Sequence, residues 1–160
     1  MLLDAITNLF PIDDRMTTAG QPTAAQIADI AAAGFEVVVN LAMGDAQSGL
    51  VGEGDIVAAH GMTFYHVPVV WDAPSLDDFE RFVEVMDACA GQSRFVHCAL
   101  NYRVTMFTSL YGQLRWGWPI ERAEALATTF WTPNDTWTTF IADVRTRWGL
   151  PDLTEPRPTA

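Results

Sequence analysis

The sequence reads RFVHCALNYRVT over residues 94–105, and this stretch decides the fold. Phe95 and Val96 are typical of a buried strand, and a helical pattern begins near Arg103. Cys98 then lies in a short loop between the end of a strand and the start of a helix. Because backbone N–H groups converge at a helix start and the helix dipole is positive there, such a loop favours an anion. The sequence therefore predicts an oxyanion site at Cys98.

The residue types in this loop indicate a reactive site. The positive field of a helix start favours the thiolate form of Cys98, which is the nucleophilic form. Arg103 supplies a planar, two-pronged donor suited to a tetrahedral oxyanion such as phosphate. The expected anion-binding residues are Ala99, Leu100, Asn101, Tyr102 and Arg103.

Length and composition predict one domain. The chain has 160 residues, of which 49% are hydrophobic and 18% charged, enough apolar content for a proper core. We expect one domain over residues 1–150 and a Pro-rich tail over residues 151–160.

The first residues lack the basic segment and cleavage site of a signal peptide. No apolar run approaches the roughly 20 residues of a membrane span, and two cysteines suggest no disulfide framework. These features predict a cytoplasmic protein.

The charge limits the partners. The net charge is −11, which argues against nucleic acid and anionic membranes as partners, and against polyanionic substrates. We expect a small or singly phosphorylated substrate. No spacing joins the three histidines and two cysteines into a metal site, so we expect neither a metal nor a cofactor. The oligomeric state has no signal in the sequence.

Apolar periodicity and turn residues alternate between strand and helix patterns. The predicted strands cover residues 15–18, 36–41, 63–70 and 95–98. The predicted helices cover residues 23–33, a segment ending near 60, 75–90, 103–116, 119–128 and 134–148. This order predicts an α/β fold with a central, mostly parallel, four- to five-stranded sheet flanked by helices.

Ligands of parallel sheets bind beyond the carboxyl ends of the strands. Cys98, Asn40 and the Trp71–Asp72 loop all follow predicted strands, so we expect them at one edge of the sheet. A cysteine phosphatase also needs a general acid from a separate loop, opposite the nucleophile. Asp72 is the first candidate for this acid.

Other candidates have two interpretations each. Asp77 and Asp78 are alternative acids, but Ser75 begins a capping-box pattern that favours capping and surface roles for them. His97 either holds the loop and helps set the thiolate or is a buried strand histidine. Cys89 is favoured as a core residue over a thiol that resolves oxidised Cys98. Core and inter-helix packing is favoured over a substrate platform for the C-terminal tryptophans, which are Trp116, Trp118, Trp131, Trp137 and Trp148.

The segment from His97-Cys98 to Arg103 resembles the phosphate-binding signature of the protein tyrosine and dual-specificity phosphatase superfamily. The chain is more specifically similar, from Pro11 to Trp131, to a bacterial phosphatase-like family first catalogued as a domain of unknown function. Members of that family are sometimes fused to metallo-β-lactamase-like hydrolases. The other matching stretches are TAGQP at 18–22, Gly34 with VVVNL at 37–41, and FYHVPV at 64–69. The resemblance implies a cysteine-phosphatase-like fold, and Gln21, Asn40, His97 and Thr105 are expected as supporting residues.

One spacing and two residues of the loop depart from the pattern that the resemblance leads us to expect. Four residues separate Cys98 from Arg103 where most tyrosine phosphatases have five, but the bacterial family also has four. Asn101 replaces a usual glycine, and asparagine tolerates the left-handed backbone that the loop needs. Val104 replaces a usual serine whose hydroxyl would assist thiolate departure. Thr105 would replace that hydroxyl only if the helix start is shifted.

The sequence thus predicts a phosphoric monoester hydrolase that works through a cysteinyl-phosphate intermediate. In this prediction Cys98 attacks phosphorus, Arg103 and the loop bind the oxygens, and Asp72 protonates the leaving group. Rhodanese-type sulfurtransferases also have a six-residue loop that begins with cysteine, which leaves a Cys98 persulfide as one alternative. A catalytically weak oxyanion-binding module is the other alternative.

Overall fold

The computed structural model describes residues 2–44 and 49–152. They form a five-stranded sheet in the order β1-β2-β5-β3-β4, with helices on both faces, which confirms the predicted α/β fold class. The strands are β1 (Phe10–Asp13), β2 (Met16–Ala19), β3 (Val37–Asn40), β4 (Thr63–His66) and β5 (Arg94–His97). The α-helices are α1 (Ala24–Ala32), α2 (Glu53–Ala59), α3 (Leu76–Ala88), α4 (Tyr102–Arg115), α5 (Ile120–Ala127) and α6 (Asp135–Trp148). A 3-10 turn, Leu2–Ala5, precedes β1.

The sheet is parallel except at one edge. Strands β2, β5, β3 and β4 pair in parallel, whereas β1 pairs antiparallel with β2. The sequence pattern did not predict β1, because it contains Pro11, which lacks a backbone N–H and is tolerated in a strand only at an edge. Strand β4 is also shorter than the predicted span over 63–70, since it ends before Pro68.

Two hydrophobic clusters cover the two faces of the sheet. Side chains alternate along β5, so Phe95 packs into one cluster with α1 and α2 while Val96 packs into the other. The larger cluster includes buried residues of α3, α4 and α6. His97 is two residues after Phe95 and therefore lies on the α1–α2 face.

Helix α4 runs through the larger cluster. All ten residues from Val104 to Gln113 are buried, so this helix is covered on every side rather than along one stripe. Its buried position fixes the direction of its N-terminus, which directly follows the Cys98 loop. The loop is therefore held between β5 and a helix whose central ten residues are all buried.

The helix starts follow the sequence signals. Thr23 caps α1 and Ser75 caps α3, each with the third helical residue completing a capping box.

No helix within the described residues is long and apolar enough to cross a bilayer. Residues 153–160 of the predicted tail lie outside the described residues.

Candidate active site

The carboxyl ends of the parallel strands lie at one edge of the sheet. In the pairing register, His97 of β5 is level with Ala19 of β2 and Asn40 of β3. Cys98 follows His97 and is buried, with 1% of its surface exposed. The nucleophile candidate therefore lies where ligands of parallel sheets bind.

The carbonyl groups of the Cys98 loop are all held on its outer side. The carbonyl of Cys98 faces His97 Nδ1 at 3.2 Å, and that of Ala99 accepts from the Gln21 N–H at 3.0 Å. The carbonyl of Leu100 accepts from Asn8 Nδ2 at 2.9 Å. The structure has no cis peptide among the described residues, and in a trans peptide the next N–H points away from the carbonyl. The N–H groups of residues 99–101 consequently point inward, away from these partners.

Asn101 closes the loop in a left-handed conformation. Its φ is 69° and its ψ is 8°, and it is the N-cap of α4. Its side-chain amide donates to the Asn8 carbonyl at 2.9 Å and to Thr18 Oγ1 at 3.0 Å. The expected left-handed backbone is therefore confirmed, and the side chain adds an anchor that a glycine at this position would lack.

Gly20 lies against the loop from outside. A Cβ atom at this position would stand 2.6 Å from the carbonyl oxygen of Ala99, which is closer than side chains approach a backbone oxygen. The Gly20 N–H donates to the Thr7 carbonyl at 2.7 Å. The loop can thus occupy its position only because residue 20 has no side chain.

Substitution of Gly20 tests this contact. We expect Gly20→Ala to push the Ala99 carbonyl outward and to lower any turnover of para-nitrophenyl phosphate by about 100-fold, because small misplacements of reacting groups have effects of that size. Gly91→Ala is the matched control, since a Cβ atom there meets nothing within 4 Å. Turnover of para-nitrophenyl phosphate and thermal unfolding measure both variants. Full activity in a folded Gly20→Ala protein would contradict this close approach.

A cavity of about 270 Å³ opens above the loop. It is lined by Trp71, Cys98, Ala99, Leu100, Tyr102 and Arg103. The structure thus brings five of the predicted site residues to one cavity. Arg103 donates from Nη1 to the Val69 carbonyl at 2.9 Å, which holds its guanidinium beside the cavity.

Aromatic side chains form one wall of this cavity. Trp71 and Tyr102 line it, and Trp131 stacks on Tyr102 with ring centres 5.1 Å apart and an interplanar angle of 6°. Trp137 packs on Trp71 and donates from its indole nitrogen to the Trp71 carbonyl at 3.0 Å. Trp131 and Trp137 are packing residues, as expected, but part of what they support is the wall of the candidate site.

The acid candidates occupy different places. Asp72 is exposed in the turn directly after Trp71, a lining residue, and does not itself line the cavity. Asp77 is exposed in the first turn of α3. Asp78 is buried, caps α3 through the Ser75 N–H and pairs with Arg81. The predicted capping role of Asp78 is confirmed, and Asp72 is the carboxylate adjacent to a cavity residue.

A buried pair of polar side chains, His97 and Glu53, lies behind the loop, and Glu53 was not predicted from the sequence. His97 Nε2 lies 2.8 Å from Glu53 Oε2, and both side chains are buried. Burial alone would raise the pKa of Glu53, but hydrogen bonds from His97 and Gln21 and the charge of His97 hold it below its usual value. The sequence contained one signal for this role of Glu53. Glu53 lies four residues before the apolar Val57, so both side chains lie on the same, buried face of α2.

The other supporting candidates differ in how close they lie to the cavity. Gln21 contacts the loop through its backbone N–H and Glu53 through its amide, at 2.6 Å. Asn40 accepts from the Ala42 N–H at 2.8 Å, so it shapes the turn after β3 and does not line the cavity. Its position in the sheet matches the expected edge, but its side chain supports the neighbouring turn.

The position after the arginine carries no hydroxyl group. Val104 is fully buried in the larger hydrophobic cluster. The Thr105 hydroxyl donates to the carbonyls of Asn101 and Tyr102 at 2.9 and 3.1 Å. Helix α4 starts only one residue before the predicted position, so Thr105 is not moved into the place of the missing serine. Its hydroxyl proton supports the loop backbone instead.

Cys89 is a core residue at the end of α3. It is 1% exposed, and its thiol donates to the Val85 carbonyl at 3.1 Å. Burial raises the pKa of the Cys89 thiol, which disfavours a reactive thiolate.

Neither Cys89 nor Cys98 is in a disulfide. Among the described parts of the chain, no group of three histidine, cysteine or carboxylate side chains is arranged to hold a metal ion.

Solved structures with a similar architecture include proteins described as phosphatases or putative phosphatases. A DUF442 protein of Shewanella putrefaciens CN-32, described as a putative phosphatase, is 29% identical, with a TM-score of 0.83 over 92% of this chain and 97% of that one. TpbA of P. aeruginosa is 15% identical, with a TM-score of 0.69 over 91% and 92% of the two chains. A putative phosphatase of Neisseria meningitidis z2491 is 16% identical, with a TM-score of 0.66 over 91% and 99%.

No family model and no curated protein sequence matches the chain, so the likeness rests on structure. The two less similar neighbours share its fold. The Shewanella protein is similar over nearly the full length of both chains, and its DUF442 description agrees with the resemblance to a bacterial phosphatase-like family first catalogued as a domain of unknown function. The chain therefore has the fold of protein tyrosine phosphatase-like structures and is similar, over nearly its whole length, to a bacterial DUF442 putative phosphatase.

Proposed function

We propose that this protein is a cysteine-dependent phosphatase that hydrolyses phosphate monoesters through a cysteinyl-phosphate intermediate. The observation that carries the proposal is the orientation of the Cys98 loop, whose carbonyl groups are held outside so that its N–H groups face the cavity. Convergent N–H groups, a helix N-terminus and Arg103 are the donors that a phosphoryl group needs. A cysteine-to-serine variant of the neighbour TpbA has been solved in complex with pTyr, which supports phosphate monoesters as the ligand class.

The proposed reaction has two steps. Cys98 Sγ attacks phosphorus, the S–P bond forms, the ester P–O bond breaks, and Asp72 gives its proton to the leaving oxygen. Water then attacks phosphorus, Asp72 takes a proton from that water, and the S–P bond breaks to return the thiolate and inorganic phosphate. Arg103 and the loop N–H groups bind the equatorial oxygens in both steps.

Trapping the intermediate tests this mechanism. We expect acid quenching during turnover of para-nitrophenyl phosphate to leave one phosphoryl group on the peptide that contains Cys98. The peptide that contains Cys89 is the internal control and stays unmodified. A protein that releases phosphate while no phosphoryl group appears on Cys98 under single-turnover conditions would contradict the covalent route.

Asp72→Asn separates acid catalysis from binding. We expect its turnover of an alkyl phosphate to fall by about 100- to 1,000-fold, because an alkoxide leaves poorly without a proton. Turnover of para-nitrophenyl phosphate falls less, since nitrophenolate leaves well unprotonated. Asp77→Asn, on an exposed carboxylate of the next helix, is the control and keeps wild-type rates. Equal losses for the two esters would point to misfolding or to another acid.

A weak oxyanion-binding module is the second candidate function. Val104 is buried and has no hydroxyl group, and the Thr105 hydroxyl already donates to the Asn101 carbonyl. Neither residue is therefore placed to assist departure of the Cys98 thiolate, which favours the binding module. In that case the wild-type protein binds phosphate, and the cysteinyl phosphate formed from para-nitrophenyl phosphate, with release of nitrophenolate, is hydrolysed only slowly. The ratio of the initial burst to the steady-state rate measures this directly.

A further inference from the structure

The buried Glu53–His97 pair has a geometry that fixes its protonation. His97 is on β5 and Glu53 on α2, and both face the cluster on the α1–α2 side of the sheet. His97 is 0% exposed and Glu53 5% exposed. One ring nitrogen, Nε2, faces the Glu53 carboxylate at 2.8 Å, and the other, Nδ1, faces the Cys98 carbonyl oxygen at 3.2 Å.

Both ring nitrogens of His97 thus face acceptor oxygens. A carbonyl oxygen only accepts, so Nδ1 must carry a proton to bond the Cys98 carbonyl. If Glu53 is ionised, Nε2 must carry a proton as well, and His97 is an imidazolium. A neutral imidazole would require a protonated Glu53 that donates to Nε2.

The surroundings of Glu53 favour the ionised form. Gln21 Nε2 donates to its second oxygen, Oε1, at 2.6 Å, so both carboxylate oxygens have donors. Burial raises the pKa of Glu53, and besides His97 itself the Gln21 hydrogen bond and the charge of His66 lower it. The titratable groups that face the pair from other elements are His66 on β4, whose charge also lowers the pKa of Glu53, and Cys98 itself.

We propose that Glu53 is the positioning residue of the nucleophile loop: it keeps His97 doubly protonated, so that Nδ1–H holds the Cys98 carbonyl and a positive charge lies behind the thiolate. The proposal rests on Cys98 being the nucleophile of the proposed function. The imidazolium is bonded to the Cys98 backbone, and the carboxylate lies on its far side. The positive end of the pair therefore faces Cys98 and favours its thiolate form.

Glu53 also bonds to a second support of the loop. The Gln21 side chain donates to Glu53, while the Gln21 backbone N–H donates to the Ala99 carbonyl. One carboxylate on α2 thus bonds to both residues that hold the carbonyls of Cys98 and Ala99. Loss of Glu53 is expected to affect the orientation of two successive peptides of the loop.

The first test needs no variant and no activity. Nitrogen-15 NMR of the labelled wild-type protein distinguishes an imidazolium, in which both ring nitrogens are protonated, from a neutral ring. We expect the His97 signals at pH 7 to be those of the imidazolium, with both N–H protons protected from exchange by burial. Signals of a neutral ring at pH 7 would overturn the proposal.

The second test removes the carboxylate and measures the nucleophile. We expect Glu53→Gln to slow alkylation of Cys98 by iodoacetamide about tenfold at pH 6.5 and to move its pH profile upward by about one unit. Asp55→Asn removes a charge from an exposed position of the same helix and is expected to leave the profile unchanged. A folded Glu53→Gln protein with the wild-type profile would overturn the positioning role.

These readouts separate the two proposals. If wild-type protein turns over no phosphate ester but shows the imidazolium and the Glu53-dependent alkylation profile, the phosphatase proposal fails and the positioning role stands. If turnover is normal while both readouts are negative, the positioning role fails alone. Where Glu53→Gln does not fold, the NMR result on the wild-type protein decides.

Discussion

Cys98→Ser is expected to release phosphate from para-nitrophenyl phosphate about 10⁴-fold or more slowly than the wild type. A serine hydroxyl at this position is not ionised near neutral pH, and helix N-termini that favour a thiolate do not make an alkoxide. Serine is close to cysteine in size, and residue 98 lies in a tight loop beside buried core residues. The loss is therefore chemical rather than a result of repacking.

Binding and folding controls make this result interpretable. Cys98→Ser should still bind inorganic phosphate, because the loop N–H groups and Arg103 are retained, and binding is measured by titration calorimetry. Cys89→Ser is the matched control, since it changes a buried thiol that donates only to carbonyls of its own helix. Equal rates in the wild type and Cys98→Ser would exclude Cys98 as the nucleophile. Phosphate binding without wild-type turnover would favour the oxyanion-binding module.

Arg103→Lys is expected to lower kcat/KM by about 100- to 1,000-fold. The guanidinium of Arg103 donates to the Val69 carbonyl and lies 5.9 Å from the centre of the Trp71 ring, so its plane is held beside the cavity. A lysine ammonium keeps the charge but offers no planar, two-pronged donor set that could serve both Val69 and two phosphoryl oxygens. Most of the loss should appear in kcat, because the equatorial oxygens gain charge in the transition state.

Arg122→Lys is the control for this substitution. Arg122 also lies over an indole ring, 4.2 Å from the centre of Trp118, but that ring belongs to a different cavity between β1 and α5. We expect it to leave kcat/KM within a factor of two. An Arg103→Lys protein that retains wild-type kcat/KM would show that the charge alone suffices and that bidentate binding is not part of the mechanism.

The fold and the residues that line the candidate site could be predicted because each depends on a local signal. Strand β5, the following cysteine and the start of α4 are adjacent in sequence, and Asn101 is one of the few residues other than glycine that adopts a left-handed backbone. The general position of Asp72 followed from strand order alone. Its approach to the reacting group did not, since it depends on a turn whose conformation no local pattern specifies.

The features that the sequence did not predict depend on contacts between residues far apart in the chain. Strand β1 is an edge strand whose hairpin with β2 is hidden by Pro11. Glu53 is a single carboxylate on a seven-residue helix, and only the sheet order brings it to His97. Trp131 was assigned to packing, and its place behind Tyr102 follows from the way α4 and α5 pack rather than from spacing.

The bonds around the Cys98 loop join residues that are far apart along the chain. Asn8 and Leu100 are 92 residues apart, Thr18 and Asn101 are 83 apart, and Glu53 and His97 are 44 apart. The parallel strand pairs also join distant residues, Met16 with Arg94 and Val37 with Arg94. Because both sets of contacts close intervals of similar length, we expect the nucleophile loop to be completed together with the parallel sheet. A chain that lacks its first ten residues would build most of the core around a cysteine whose loop has lost its amino-terminal anchor.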